Sequence, residues 1–137
     1  MTAIVFPDVE LVVVEYLRAA LAARPESFAD AKVDIRVPST VPPRLVWVRR
    51  DGGTRQEATR EVARVSINIF AGTEADATDL ARLVRALLWA APDGDPILRV
   101  NDFSGPVAIP DESQRKRRFF GVEVHIRGEN LPADLTA

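Results

Sequence analysis

Two stretches of this chain carry apolar residues at helical spacing and five carry them at alternate positions, in the order α-β-β-β-α-β-β. That order constrains the fold more than any other feature. Two helices cannot cover both faces of a five-stranded sheet. An α+β fold is therefore predicted, a mixed and mainly antiparallel sheet of about five strands with both helices packed on one face.

The first helix is expected over residues 7–23, with Val9, Val12, Val13, Tyr16, Leu17, Ala20 and Leu21 as its stripe. Pro7 suits a first helical turn, and Pro25 marks the end. The second helix opens at Thr73 as N-cap and runs to about Ala91 on Ala77, Leu80, Val84, Leu87 and Leu88. Strands are expected at 32–37, 45–50, 61–70, 97–103 and 119–127, with a short extended piece at 107–109. Asp51-Gly52-Gly53 reads as a turn opening a long mobile hairpin loop to Thr59, and 110–118 reads as a second polar loop. One domain over 1–128 and a flexible C-terminal tail over 129–137 complete the expectation. Val65, Ile67 and Ile69 face the helices, which leaves Arg64, Ser66, Asn68, Glu123, His125 and Arg127 on an uncovered polar face.

The chain has no cysteine and a single histidine among its 137 residues. Disulfide frameworks, thiolate metal sites and cysteine nucleophiles are excluded, and a triad or multi-histidine metal site lacks its parts. Sixteen arginines and two lysines stand against 20 acidic residues, for a net charge of −2, so bulk attraction to nucleic acid is not expected. Residues 1–6 lack the basic region and cleavage site of a signal peptide, and no apolar run has the length of a membrane span. An intracellular soluble protein is the expectation.

Candidate chemistry is sparse. His125 lacks an orienting carboxylate and nucleophile at any diagnostic spacing. Asp93, Asp95 and Asp102 do not follow a calcium-loop pattern and read as turn formers. The Gly52-Gly53 pair has no following Lys-Ser/Thr and precedes no helix, so it is no phosphate loop. Arg115-Lys116-Arg117-Arg118 is the most basic run, suited to DNA phosphates, to an acidic partner or to shielding a strand edge. Trp47 and Trp89 read as core anchors. No catalytic residue, metal or cofactor is expected.

An N-terminal amphipathic helix, a proline-rich connector and a strand pair around Gly-Gly are followed by a helix opening Gly72-Thr73-Glu74-Ala75-Asp76-Ala77. With Val65-Ser66-Ile67-Asn68-Ile69-Phe70-Ala71-Gly72 and the closing Arg117-Arg118-Phe119-Phe120-Gly121-Val122-Glu123-Val124, this layout resembles the lambda-type tail terminator (tail completion) proteins of siphophages, as found in actinobacterial phages and prophages. The resemblance covers residues 7–128. It implies a non-enzymatic virion protein at the head–tail junction, assembled in the host cytoplasm as a hexameric ring. Such a ring stops tail-tube polymerisation and joins the tube to the head. Its partners would be its own copies, the tail tube protein and a head-completion or neck protein, with DNA only as passing cargo and no membrane.

By position in the topology, Arg49, Arg50, Arg55, Arg60, Arg115, Lys116, Arg117 and Arg118 would then lie on loops meeting the tube or a neighbouring subunit. Arg64, Asn68, Glu123 and Arg127 would lie in the ring interface or lumen. The competing expectations are a neck or head-completion protein and, from a different class, a small dimeric metabolite-binding protein or enzyme with a concave apolar pocket.

Overall fold

The computed structural model describes residues 3–111 and 114–131. In chain order it has strand β1 (Ile4–Val5), helix α1 (Val9–Ala22), a 3-10 turn (Ser27–Asp30), β2 (Lys32–Asp34), β3 (Leu45–Glu57), β4 (Arg60–Ala71), α2 (Glu74–Trp89), β5 (Ile97–Ile109), β6 (Lys116–Arg127) and β7 (Glu129–Asn130). The main sheet runs β2-β3-β4-β6-β5, parallel only between β2 and β3, and β1 pairs with β7 as a separate two-stranded sheet. The α+β architecture expected from the apolar pattern is the one observed.

Both helices lie on one face. Val9, Val13, Val14, Leu17 and Leu21 of α1 and Leu80, Ala81, Val84 and Leu88 of α2 are buried against Val46, Val48, Val65, Ile67, Ile69, Phe120, Val122, Val124 and Ile126. Each helix starts at a capped end. The Asp8 carboxylate accepts from the Glu10 and Leu11 amides, and the Thr73 hydroxyl accepts from the Asp76 amide. Asp8 is the cap of α1, so Pro7 stands just outside the helix and not in its first turn. Tyr16 ties the two helices together by donating to the Leu87 carbonyl at 2.5 Å.

Several sequence expectations need correction. β2 stops at Asp34, whose carboxylate takes the Ile35 amide, and Ile35 and Val37 are left exposed. The expected hairpin loop over 51–59 is mostly strand: β3 continues to Glu57, and only Ala58 and Thr59 turn. Its side chains from Asp51 to Glu57 are exposed, so alternation leaves no trace there, while the backbone ladder to β4 still satisfies the chain. Gly53 permits this. It holds φ at 120°, and a Cβ there would stand 2.1 Å from the Val62 carbonyl oxygen. The glycine pair thus absorbs a register shift between Arg50 and Gly52 where a turn was expected.

β5 likewise runs straight through Gly105-Pro106, expected as a turn. The strand is at the sheet edge, where a missing N–H costs no ladder bond, and the register slips between Ser104 and Val107. β6 begins at Lys116, three residues earlier than expected. Glu129 and Asn130 are not a loose tail: they pair with Val5 and Ile4, and the Leu131 amide donates to the Ala3 carbonyl at 2.8 Å. The rest of the expected tail, 132–137, lies outside the described residues, as do 112 and 113 of the second polar loop.

Candidate interaction surface

The sheet face away from the helices follows from register. Arg60, Val62, Arg64, Ser66, Asn68 and Phe70 of β4 stand opposite Arg127, His125, Glu123, Gly121, Phe119 and Arg117 of β6. On the flanks, Trp47 and Arg49 of β3 oppose Asn68 and Ser66, while Arg99 and Asn101 of β5 oppose His125 and Glu123. Arg64, Asn68, Glu123 and Arg127, expected on one uncovered face, are brought together there.

The face is less polar than its sequence suggested. Trp47, Phe70, Phe103 and Phe119 share it, and Ser66 and Asn68 are buried beneath their neighbours, 4% and 3% exposed. Phe103 reaches the face because residue 121 is glycine: a Cβ at Gly121 would stand 3.1 Å from the Phe103 ring. Three guanidinium groups lie on these rings, Arg49 on Trp47 at 5.9 Å, Arg64 on Phe103 at 4.3 Å and Arg117 on Phe70 at 5.2 Å. The tryptophans are not the core anchors expected. Trp47 donates to the Ile35 carbonyl, and Trp89, half exposed on α2, donates to Asp102.

The loop set fares differently. Arg50 pairs with Glu61 at 2.5 Å, and Arg55 lies over Phe6 and donates to the Ala58 carbonyl. Both are on strand β3, as expected for Arg50 at the end of its strand but not for Arg55, which was expected in a mobile loop. The basic run is largely occupied within the chain. Arg115 donates to the Pro42 and Pro43 carbonyls, pinning the proline connector. Lys116 and Arg118 reach Glu74 on α2, and Arg118 holds that carboxyl below its ordinary range. Arg117 donates to Asn68 at 2.7 Å. Lys116, Arg117 and Arg118 do not shield an edge, because β6 lies between β4 and β5.

His125 sits at the distal end of the open face. Its Nδ1 accepts from Arg60 Nε at 3.1 Å, and Asn101 lies 3.3 Å from Nε2. Burial, and then the charges of Arg60 and Arg99, outweigh Glu123 and push its pKa below the ordinary 6.5. A proton on Nδ1 would also replace an accepted hydrogen bond with a cation facing a cation. The unfolded chain takes up this proton near pH 6.5 and the folded chain only at lower pH, so stability is complete above that value and declines as the pH falls below it. Thermal midpoints measured from pH 7.5 to 5.5 are expected to fall for the native chain and to fall less for His125→Gln. Parallel curves would contradict this assignment.

Of the carboxylates considered for a metal, Asp93 caps its own turn by accepting from the Asp95 amide, and Asp102 is engaged by Arg85. Among the described residues no three histidine, aspartate or glutamate side chains converge on a metal position, and no helix is long and apolar enough to cross a membrane. Sequence reasoning did not single out Arg99 and Phe103. The doublet Phe119-Phe120 beside Gly121 was the available signal, since a strand glycine marks a close approach by a neighbouring side chain. In comparisons with known proteins, the chain matches no family model and no curated sequence.

Proposed function

We propose that this chain is a structural ring subunit of a long-tailed phage, which caps the tail tube, ends its polymerisation and forms the joint to the head. The observation that carries the reading is a sheet covered on one face only, with unlike surfaces left for contact. The open face bears Arg49, Arg64 and Arg127. The rims are β5 and the part of β3 beyond Trp47, where β2 no longer pairs. A closed ring needs such unlike patches, because each subunit presents one surface to the neighbour before it and another to the neighbour after it. The resemblance of the sequence layout to tail terminators adds to this support.

The depressions on the open face and beside the basic run are lined mainly by polar and charged side chains. A metabolite-binding dimer calls for a largely apolar pocket, which those on the open face are not; the more apolar depression between α1 and β2, at Leu21, Ala29 and Val33, is the place where such a ligand would be sought. The test is the solution mass by light scattering over a concentration series, alone and with tail tube protein. A particle of six times the 15.1 kDa chain is expected. A stable dimer, or a monomer unaffected by tube protein, overturns the proposal. Capture of neck protein in place of tube protein would move the ring one position toward the capsid.

A further inference from the structure

Arg60, Arg64, Arg99 and Arg127 occupy three neighbouring strands on the open face. Among the described residues none of them has a carboxylate within the 4.0 Å of an ion pair, although nine such pairs exist elsewhere in the fold. Among the described residues Arg60 and Arg99 bond to neutral partners, His125 and Asn101. Arg64 lies on the Phe103 ring, and Arg127 is exposed. A chain of net charge −2 has thus gathered uncompensated guanidinium groups on one surface, against Glu57 and Glu123. Beyond a screening length of about 10 Å at 0.1 M salt, the acidic remainder of the molecule has little influence on a ligand at this face.

We infer that this face docks the phosphate backbone of duplex DNA. The four arginines span about 13 Å along β4 and about 10 Å across three strands, from ordinary strand rise and spacing. A duplex carries one negative charge per about 1.7 Å of axis, so a patch of that size meets several phosphates. Guanidinium groups suit phosphate because their planar fork donates two parallel hydrogen bonds. The arrangement of the rings selects the duplex. A single strand needs open aromatic faces on which its bases stack. Here a guanidinium lies over one face of each of three rings, Arg64 on Phe103, Arg49 on Trp47 and Arg117 on Phe70, and Phe119 is only partly exposed. Capture of an acidic protein partner in place of the duplex is the outcome that polyglutamate tests below. The inference stands on the charge of the face and does not require a ring.

The test is fluorescence anisotropy of a labelled duplex with the full chain from 50 to 200 mM salt, with the solution mass of each variant measured alongside. Four phosphate contacts predict a log–log salt slope of about −3 to −4. Arg60→Glu with Arg99→Glu is expected to weaken binding at least about tenfold at low salt and to bring the slope near about −2, at unchanged mass. Arg60→Gln with Arg99→Gln gives the same direction if the reversed pair folds poorly. Arg82→Glu changes an exposed arginine on α2, across the molecule, and is expected to bind nearly as the native chain does. The inference is overturned by no duplex binding at 50 mM salt, by an equal loss in Arg82→Glu, by tighter binding of single strands, or by capture of polyglutamate with no binding of the duplex.

Discussion

Phe120→Ala is expected to lower the unfolding free energy by about 3–5 kcal/mol, the range for emptying a buried aromatic site. Phe120 is fully buried on β6 at the register of Ile67, in the layer where both helices meet the sheet. Two features raise the cost toward the top of that range. The neighbouring strands are held by hydrogen bonds on both sides of β6, so the backbone cannot close the void. The surrounding side chains are largely β-branched, with few alternative rotamers to fill it. Denaturant midpoints compared at constant m-value measure the loss. A change under about 1 kcal/mol would mean that the helices slide to fill the space.

Charge reversal at Arg64 and Arg127 together is expected to abolish self-association while leaving circular dichroism unchanged. Among the described residues neither side chain has an ion-pair partner, and Arg127 is exposed on the last residue of β6, so the monomer loses little beyond the contact of Arg64 with Phe103. In a ring whose neighbour contacts this face, two attractive contacts become repulsive. Like-charge juxtaposition at an interface costs several kcal/mol, which weakens assembly by roughly 100-fold or more. Light scattering at matched concentrations reads the effect. Loss of the ring would place Arg64 and Arg127 in the subunit contact and confine duplex docking on this face to the unassembled chain; an intact ring would remove the face from that contact and leave it open to DNA.

The parts of this fold that were legible in the sequence are those where burial is one-sided. In β4 and in the second half of β6, one face meets helices and the other does not, so Val65, Ile67, Ile69, Val122, Val124 and Ile126 alternate as the geometry demands. α1 and α2 show their stripes for the same reason. The distal half of β3 was illegible because its side chains from Asp51 to Glu57 are all exposed, and a strand without a buried side has no pattern to show. Asp51-Gly52-Gly53 misled because the glycine conformation that makes a turn also makes a bulge, and the choice rests with the partner strand. β1 and β7 hold two residues each, below the length at which any periodicity exists. For the interaction surface, residue types gave the arginines but not their partners. Arg117 and Arg118 are adjacent in sequence and serve opposite faces, one on Phe70 and the other on Glu74.

The strand order carries a consequence for synthesis of the chain. β6 is the last strand of the main sheet to be made, and it fills the position between β4 and β5. Until it emerges from the ribosome, β5 has no partner in the main sheet, and β4 offers a full rim of unpaired amides and carbonyls. Polymerisation of the peptide at about 5–20 residues per second therefore leaves a window of seconds in which two aggregation-prone edges await one strand. A chain cut short before Lys116 would remain in that condition permanently, which makes completeness of the C-terminal region a requirement for solubility as well as for form.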